Sequence, residues 1–345
     1  MRLRNQFVYY GAHTGRWSGR AFQPHNLTRT PTDPAAFEAM LEEKPVASLE
    51  ALSTCIRPCV RAGEGKVLLV ADLTAIENCG LAWLSGCEPM LQVYRDGLDP
   101  YKAFAVDLFG VEYDAVTKAQ RQLSKPAVLG CGYGQGGGVE REMQNGQKTK
   151  TGLWRYAESM GVTISQEEAH RMVRVFRDAY VEVVEYWGFM EAAFFAAYKT
   201  RKRQQVGLVY FDAQPECVRI ELPSGRCIHY LNPHAHRDPR GGYNLSFDGL
   251  RRGGWGRQSV WGGVLTENVV QAVARDVLAE GMLRAEALGM PIVMHVHDEL
   301  VAEVEDAPLG FKHTTLEAVM SHPIEWAPGL PLAAQGFASK FYEKR

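Results

Sequence analysis

The sequence predicts an α+β fold, on three observations. Residues 165–198 and 266–288 have the composition and periodicity of long helices. Residues 220–230 and 292–304 read as hairpins built from short β-rich runs. Strands and helices do not alternate regularly, which sets aside a doubly wound parallel sheet.

The elements follow in chain order. Residues 1–30 are rich in Gly, Arg, Asn and aromatics, and a Pro-containing stretch, 30–34, leads into a helix over 35–43. The continuous apolar run 67–71 ends on Asp72 and reads as a buried strand. Residues 75–84 and 116–129 have helical composition, and the second runs into a glycine-rich stretch, 130–138, that reads as a flexible loop. Ser165 followed by Glu168 fits a capping box, and Gly188 marks a kink in the helix that follows. Phe176, Tyr180, Tyr186, Trp187, Phe194 and Phe195 read as core. Pro223-Ser224-Gly225 supplies the turn of the first hairpin, and His297-Asp298-Glu299 the polar bend of the second.

Composition narrows the function classes. A chain of 345 residues, 46% hydrophobic, buries one large core or two smaller ones. The net charge of −2 counts mildly against a nucleic-acid partner, since phosphate contacts need a basic surface. Charge is nonetheless segregated, with Lys199, Arg201, Lys202 and Arg203 in one cluster and Arg251, Arg252 and Arg257 around Trp255 in another. Each cluster by itself reads more simply as a solvated loop or helix end. Seven irregularly spaced cysteines, with Cys55 and Cys59 lacking a second pair, read as thiols of a reducing compartment rather than a zinc site. No signal peptide or membrane-length apolar run is seen, so a cytoplasmic protein with no membrane partner is expected.

Two carboxylates at strand ends carry the chemistry. In 292–304, apolar β-formers flank the polar triplet, so a hairpin buries its arms and presents Asp298 at the bend; the strand 67–71 delivers Asp72 at its end. If both belong to one sheet they converge. Hard cations such as magnesium prefer such oxygens, and two of them can clamp the attacking and leaving oxygens of a phosphoryl transfer. Either motif alone is equally well explained structurally, Asp72 as an Asp that ends a strand and His297-Asp298-Glu299 as a polar hairpin turn. His295 and His297 also form a transition-metal-like pair, but no further His or Cys clusters with them.

Several ordered motifs then resemble family A DNA polymerases. Asp72-Leu73-Thr74-Ala75-Ile76-Glu77 is similar to the family's Asp-Tyr-Ser-Gln-Ile-Glu, and His297-Asp298-Glu299 to its His-Asp-Glu motif. Arg121, Lys125, Leu129, Tyr133 and Gly134 are similar to the fingers motif Arg-x3-Lys-x3-Phe/Tyr-x3-Tyr-Gly, whose spacing sets the first four on one helical face. Thr14-Gly15-Arg16-Trp17-Ser18 with Pro24-His25-Asn26-Leu27 resembles the primer–template motif, and Glu267 to Gln271, continuing to Ala274-Arg275-Asp276, the helix whose Gln meets the template minor groove. The resemblance implies a right-hand polymerase with an antiparallel-sheet palm and helical fingers. It divides the chain into a palm portion over 1–110, fingers over 111–215, and a second palm portion over 216–345.

The resemblance also implies roles. Asp72, Asp298 and the main-chain carbonyl of Leu73 would hold two Mg2+ ions, with Mn2+ as a substitute. Asp72, Asp298, Glu299 and Lys125 would be catalytic. Arg121, Lys125, Leu129, Tyr133, Tyr101 and Glu77 would bind the deoxynucleoside triphosphate, with Glu77 excluding a ribose 2′-hydroxyl. Arg16, Asn26, Gln271 and His297 would contact primer–template DNA, and closing fingers would assemble the site around a correct pair. Departures are Leu129 for an aromatic, Leu73 and Ala75 beside Asp72, Tyr101 where a His is common, His295 for a Gln, and Gly263 where an Arg is frequent. Pro126 inside the fingers helix costs ~3 kcal/mol, and predicts a kink or a helix that begins near Ser124. The primer–template motif starts at residue 14, so the expectation is a chain without thumb or exonuclease domain. A non-catalytic or split subunit that binds template–primer and needs a separate thumb/exonuclease chain is the alternative. A single-subunit RNA polymerase is a further one, against which Glu77 argues.

Overall fold

The apolar run ahead of Asp72 forms the strand Lys66–Leu73 in the computed structural model, which describes residues 2–28, 30–46, 48–143, 146–237, 243–251 and 254–343. Both edges of this strand are paired. Glu299–Glu305 lies antiparallel on one side and Ala334–Ser339 on the other, with Ile292–Val296 outside Glu299–Glu305. Alternation sends Leu68, Val70 and Val301 to one face, where they pack with Met294, Val296, Tyr342, Phe7 and Leu27. Leu69, Ala71, Leu300 and Ala302 fall on the other and are equally buried. Burial on both faces is why the run reads as continuous rather than alternating.

The chain forms two compact units. One comprises Met1–Ile76, Ala274–Glu325 and Leu332–Arg345 and holds this sheet; the other comprises Glu77–Val273 and Trp326–Pro331.

In the second unit the hairpin expected over 220–230 is one step of a six-stranded antiparallel meander. It runs Gln204–Val206, Val209–Gln214, Cys217–Glu221, Cys227–Arg237, Tyr243–Arg251, Gly254–Val260. Gly225 turns the predicted bend at φ 80°. The single helix expected over 165–198 is instead two, Gln166–Ala179 and Val181–Thr200. The capping box of Ser165 and Glu168 starts the first. The break falls at Tyr180, at φ −127° and ψ 61°, whose buried ring packs edge-on to Phe176 at 4.9 Å. Burying that ring outweighs helix continuation, while Gly188 lies inside the second helix without interrupting it.

The fingers-motif helix is Lys118–Gly130, started by a capping box between Thr117 and Gln120. It neither begins at Ser124 nor stops at Pro126. It does end earlier than the spacing predicts, because Cys131–Tyr133 is a 3-10 turn closed by left-handed Gly134. Tyr133 is therefore not a fourth residue on the helical face. The glycine stretch beyond is close-packed rather than a free loop. Gly136 and Gly137 carbonyls accept from Leu153 and Trp154 N–H at 2.9 and 3.0 Å. A Cβ on Gly138 would stand 1.9 Å from the Thr151 carbonyl oxygen.

The basic clusters are partly consumed internally. Arg203 pairs with Asp212 and Glu221, and Arg257 with Asp248. Arg252 lies outside the described residues, as does the side chain of Arg251. Among the described residues no helix is long and apolar enough to cross a membrane.

Candidate functional site

The sheet of the first unit brings the two aspartates together through backbone register. Asp72 stands directly opposite Glu299 on one side and Gln335 on the other. The next N–H along, that of Leu73, donates to the Asp298 carbonyl at 3.0 Å. His297 and Asp298 form a two-residue turn between Val296 and Glu299, so the bend is one residue shorter than the expected triplet. Glu299 belongs to the strand. It is 5% exposed and accepts a hydrogen bond from the Tyr342 hydroxyl. Tight hairpins favour glycine or asparagine where φ is positive, yet His297 sits at φ 56°, and Ala75, just past Asp72, at φ 46°. Left-handed backbone at non-glycine residues persists where surrounding structure forces it, commonly at functional sites.

The donor chemistry suits a hard cation. Asp72 and Asp298 offer carboxylates, Leu73 offers its carbonyl, and one Asp72 carboxylate oxygen is buried. Among the described residues no group of three or more His, Cys, Asp or Glu side chains could hold a metal by itself. Two carboxylates and a carbonyl are a donor set of the kind hard cations take alongside waters.

The segment 7–25 adds an aromatic and histidine cluster to this unit. Phe7 stacks on His295 at 4.4 Å, Trp17 lies 4.7 Å from it, and His25 meets His297 edge-on at 5.0 Å. Burial, then the charges of His297 and Arg16, lower the His25 pKa to about 4. Burial, then His25 and Arg275, do the same to His295, also to about 4. Neutral imidazoles are therefore built in beside the aspartate turn, which the sequence reading missed; the signal was three histidines amid the aromatics of two motifs. Arg16 is half-buried, and Asn26 is exposed in the 3-10 turn Pro24–Asn26, donating to Gln23 Oε1 at 2.6 Å.

The second unit carries the cationic set. Arg121 Nε lies 2.6 Å from Asp99 Oδ2, and its guanidinium sits 5.0 Å from the Tyr101 ring centre. Lys125 Nζ approaches the same ring at 5.8 Å. Asp99 also caps the helix Pro100–Phe109, its other oxygen accepting from Tyr101 and Lys102 N–H. Thus Tyr101 gathers the two cations on its face, a role its lack of positive charge does not preclude. Asp99 was the missed member, although Asp before Pro is a helix-start signal. Leu129 and Tyr133 are half-buried. Glu77 is in the first turn of the helix Ile76–Ser85. Gln271 donates to Glu267 at 3.0 Å, one turn back on the helix Gly262–Ala287.

Known proteins resemble the chain in sequence and fold. A model described as DNA polymerase family A matches residues 2–201. A DNA polymerase of Bacillus phage SP02 is 35% identical over 99% of this chain and 53% of its own length, so the chain spans about half of that relative. DNA polymerase I of Chloroflexus aurantiacus is 37% identical over 41% of this chain and 14% of its own. The solved POL domain of Pol1 from M. smegmatis, in complex with DNA primer-template and dNTP, superimposes with a TM-score of 0.59. It is 18% identical, over 98% of this chain and 47% of that one. The α+β architecture expected from the sequence is thus that of a polymerase domain, and the chain belongs to DNA polymerase family A.

Proposed function

We propose that the chain carries out template-directed DNA synthesis, extending a primer 3′-hydroxyl with deoxynucleotides. The observation that carries this is the register that sets Asp72 and Asp298 on neighbouring strand ends. In this reading the sheet-bearing unit supplies the palm, and the helices around Lys118–Gly130 supply the fingers. Asp72, Asp298 and the Leu73 carbonyl would hold magnesium. When bound, paired magnesium ions make the hydroxyl more acidic and neutralise phosphate charge.

The chain's own residues do the rest. Arg121 and Lys125 bind the triphosphate oxygens by charge-assisted hydrogen bonds, and Tyr101 holds them pre-gathered. Leu129 and Tyr133 pack against the nucleotide, while Glu77 occludes a ribose 2′-hydroxyl. Arg16, Asn26, Gln271 and His297 contact the duplex; donors to minor-groove acceptors sense pair shape with little sequence information. Glu299, its carboxylate held by Tyr342, supports the aspartate turn from the strand.

Primer extension by purified protein with magnesium and four deoxynucleotides tests the reading. Extension lost in Asp72→Ala and Asp298→Ala is expected. No extension at any enzyme concentration, with or without an upstream region supplied, overturns it.

A second reading is that of one subunit of a split enzyme. Here it binds template–primer as one part of a split enzyme completed by a separate thumb/exonuclease chain. Template–primer binding that Asp72→Ala leaves intact, with extension restored only by the second chain, distinguishes it.

A further inference from the structure

One buried cation beside the primer–template segment has no part in the proposed chemistry. Arg275 is 8% exposed, on the helix Gly262–Ala287. Its guanidinium lies 4.2 Å from the Trp17 ring centre and 5.5 Å from that of Tyr9. Its Nε donates to the Gly15 carbonyl at 3.1 Å, and Nη1 meets Asp276 Oδ1 at 3.1 Å. Each contact uses a different property of guanidinium: a flat face for the rings, an in-plane N–H for the carbonyl, and charge for the carboxylate. Lysine has no such plane.

What these contacts fix is a tight turn. Ala12 N–H donates to Arg16 O at 3.0 Å, Gly15 N–H returns to Ala12 O at 2.9 Å, and Gly15 is left-handed at φ 85°. The Gly15 carbonyl points away from this internal ladder and is taken up by Arg275. The stack continues from Trp17 to His295, three residues before Asp298 on the strand leading into the aspartate turn. His295 in turn carries Phe7 on its face. Thr14, 4% exposed within the same turn, has no hydrogen-bond partner for Oγ1 among the described residues, so this side chain does not brace the turn as Arg275 does.

We propose that Arg275 is a positioning residue that sets the 12–18 turn, and with it Arg16, against the strand bearing the aspartate turn. It touches no reacting atom in this reading. Its effect is to present Arg16 in one orientation, so that duplex binding does not require ordering the turn first. The functional half of the inference rests on the proposed polymerase reading; the structural half does not.

Arg275→Lys tests it, because lysine keeps the charge beside buried Asp276 while losing the flat stack. An Arg275→Met/Asp276→Asn double variant removes the ion pair altogether, so that no buried carboxylate is left alone. Hydrogen exchange of amides 12–18 should speed up ~5- to 10-fold in Arg275→Lys, the loss expected for one stack and one well-aligned hydrogen bond. Strands Lys66–Leu73 and Glu299–Glu305 should keep their protection. The KM for primer–template should rise by a similar factor with kcat within about twofold, as for lost uniform binding. Arg284→Lys, on the same helix and bonded to the His322 and Pro323 carbonyls, should change neither. Unchanged exchange at 12–18 in both variants overturns the proposal, as does an equal rise in the sheet strands or failure of both variants to fold. Faster exchange at 12–18 in a protein that extends no primer would leave the turn clamp standing and the polymerase reading refuted.

Discussion

The two charged sets rest on different kinds of backbone. Asp72 and Asp298 are placed by strand register, one opposite Glu299 and the other tied through its carbonyl to Leu73 N–H. Arg121 and Lys125 are placed by side-chain reach from a helix, and their order comes from Asp99 and from the Tyr101 ring. A short carboxylate on a doubly paired strand loses little freedom on binding a cation. A long cationic side chain has rotamer entropy to lose, so a partner that restrains it beforehand is useful. The difference teaches that rigidity in one unit is built into the ladder, and in the other is supplied by side-chain partners, an ion pair and an aromatic face.

The largest expected effect tests the rigid half. Asp298→Asn keeps the side chain's shape at an intermediate-exposure turn and removes its charge. Primer extension should fall by at least ~10²–10³-fold, the scale of losing one preorganised electrostatic contact, while the urea midpoint stays near that of the parent. A parallel loss of folding stability would mean that the aspartate is structural and that the contrast between the units is false.

This asymmetry also governs what the sequence revealed. The aspartates were legible because a doubly buried strand leaves a continuous apolar run, and its polar terminus stands out. The capping box at Ser165 was local and formed as read, while the equally local one at Thr117 went unread. Long-range packing was less legible. The break at Tyr180 comes with packing on Phe104, far back in the chain, and the early end of the fingers helix with the 3-10 turn closed by left-handed Gly134, so helical spacing shows neither. Of the four outer strands of the six-stranded meander, Gln204–Val206 has only three residues and Tyr243–Arg251 and Gly254–Val260 are interrupted by Gly, so they went unread. The histidine cluster joins residues 25 and 295, which only folding brings together.

The next effect tests the cationic half. Arg121→Ala should raise the KM for deoxynucleotides ~10- to 150-fold, equivalent to roughly 1.5–3 kcal/mol for hydrogen bonds to a charged group. Steady-state kinetics at saturating primer–template would measure it. An unchanged KM with a large fall in kcat would move Arg121 from binding to transition-state stabilisation.

A smaller, pH-dependent effect belongs to the rigid unit. Burial holds the pKa of His25 and His295 at about 4 in the folded chain, against 6.5 for an unperturbed imidazole. Between those values the unfolded chain binds protons that the folded chain excludes. Stability is therefore full above 6.5 and declines as pH falls toward 4. Urea midpoints at about pH 7 and about pH 5 should differ, and His295→Gln should reduce that difference by removing one of the two excluded protons. An undiminished difference would place the acid sensitivity elsewhere in the chain.

The smallest effect is the one that separates restraint from competition. Asp99→Asn keeps a good helix cap and removes the charge paired with Arg121. The pair is part-exposed, at 36% and 28% of the side chains, so it contributes no more than ~1 kcal/mol. If Asp99 mainly competes with phosphate, the variant should bind deoxynucleotides up to ~5-fold more tightly, with a steeper salt dependence as a freed cation meets the phosphate. If Asp99 mainly restrains Arg121, affinity should fall instead, because the guanidinium must be ordered on binding. The shared Tyr101 ring decides between these. It still holds Arg121 after Asp99 is neutralised, so the expected outcome is the gain in affinity, and a loss would show that the ring alone cannot order the cation.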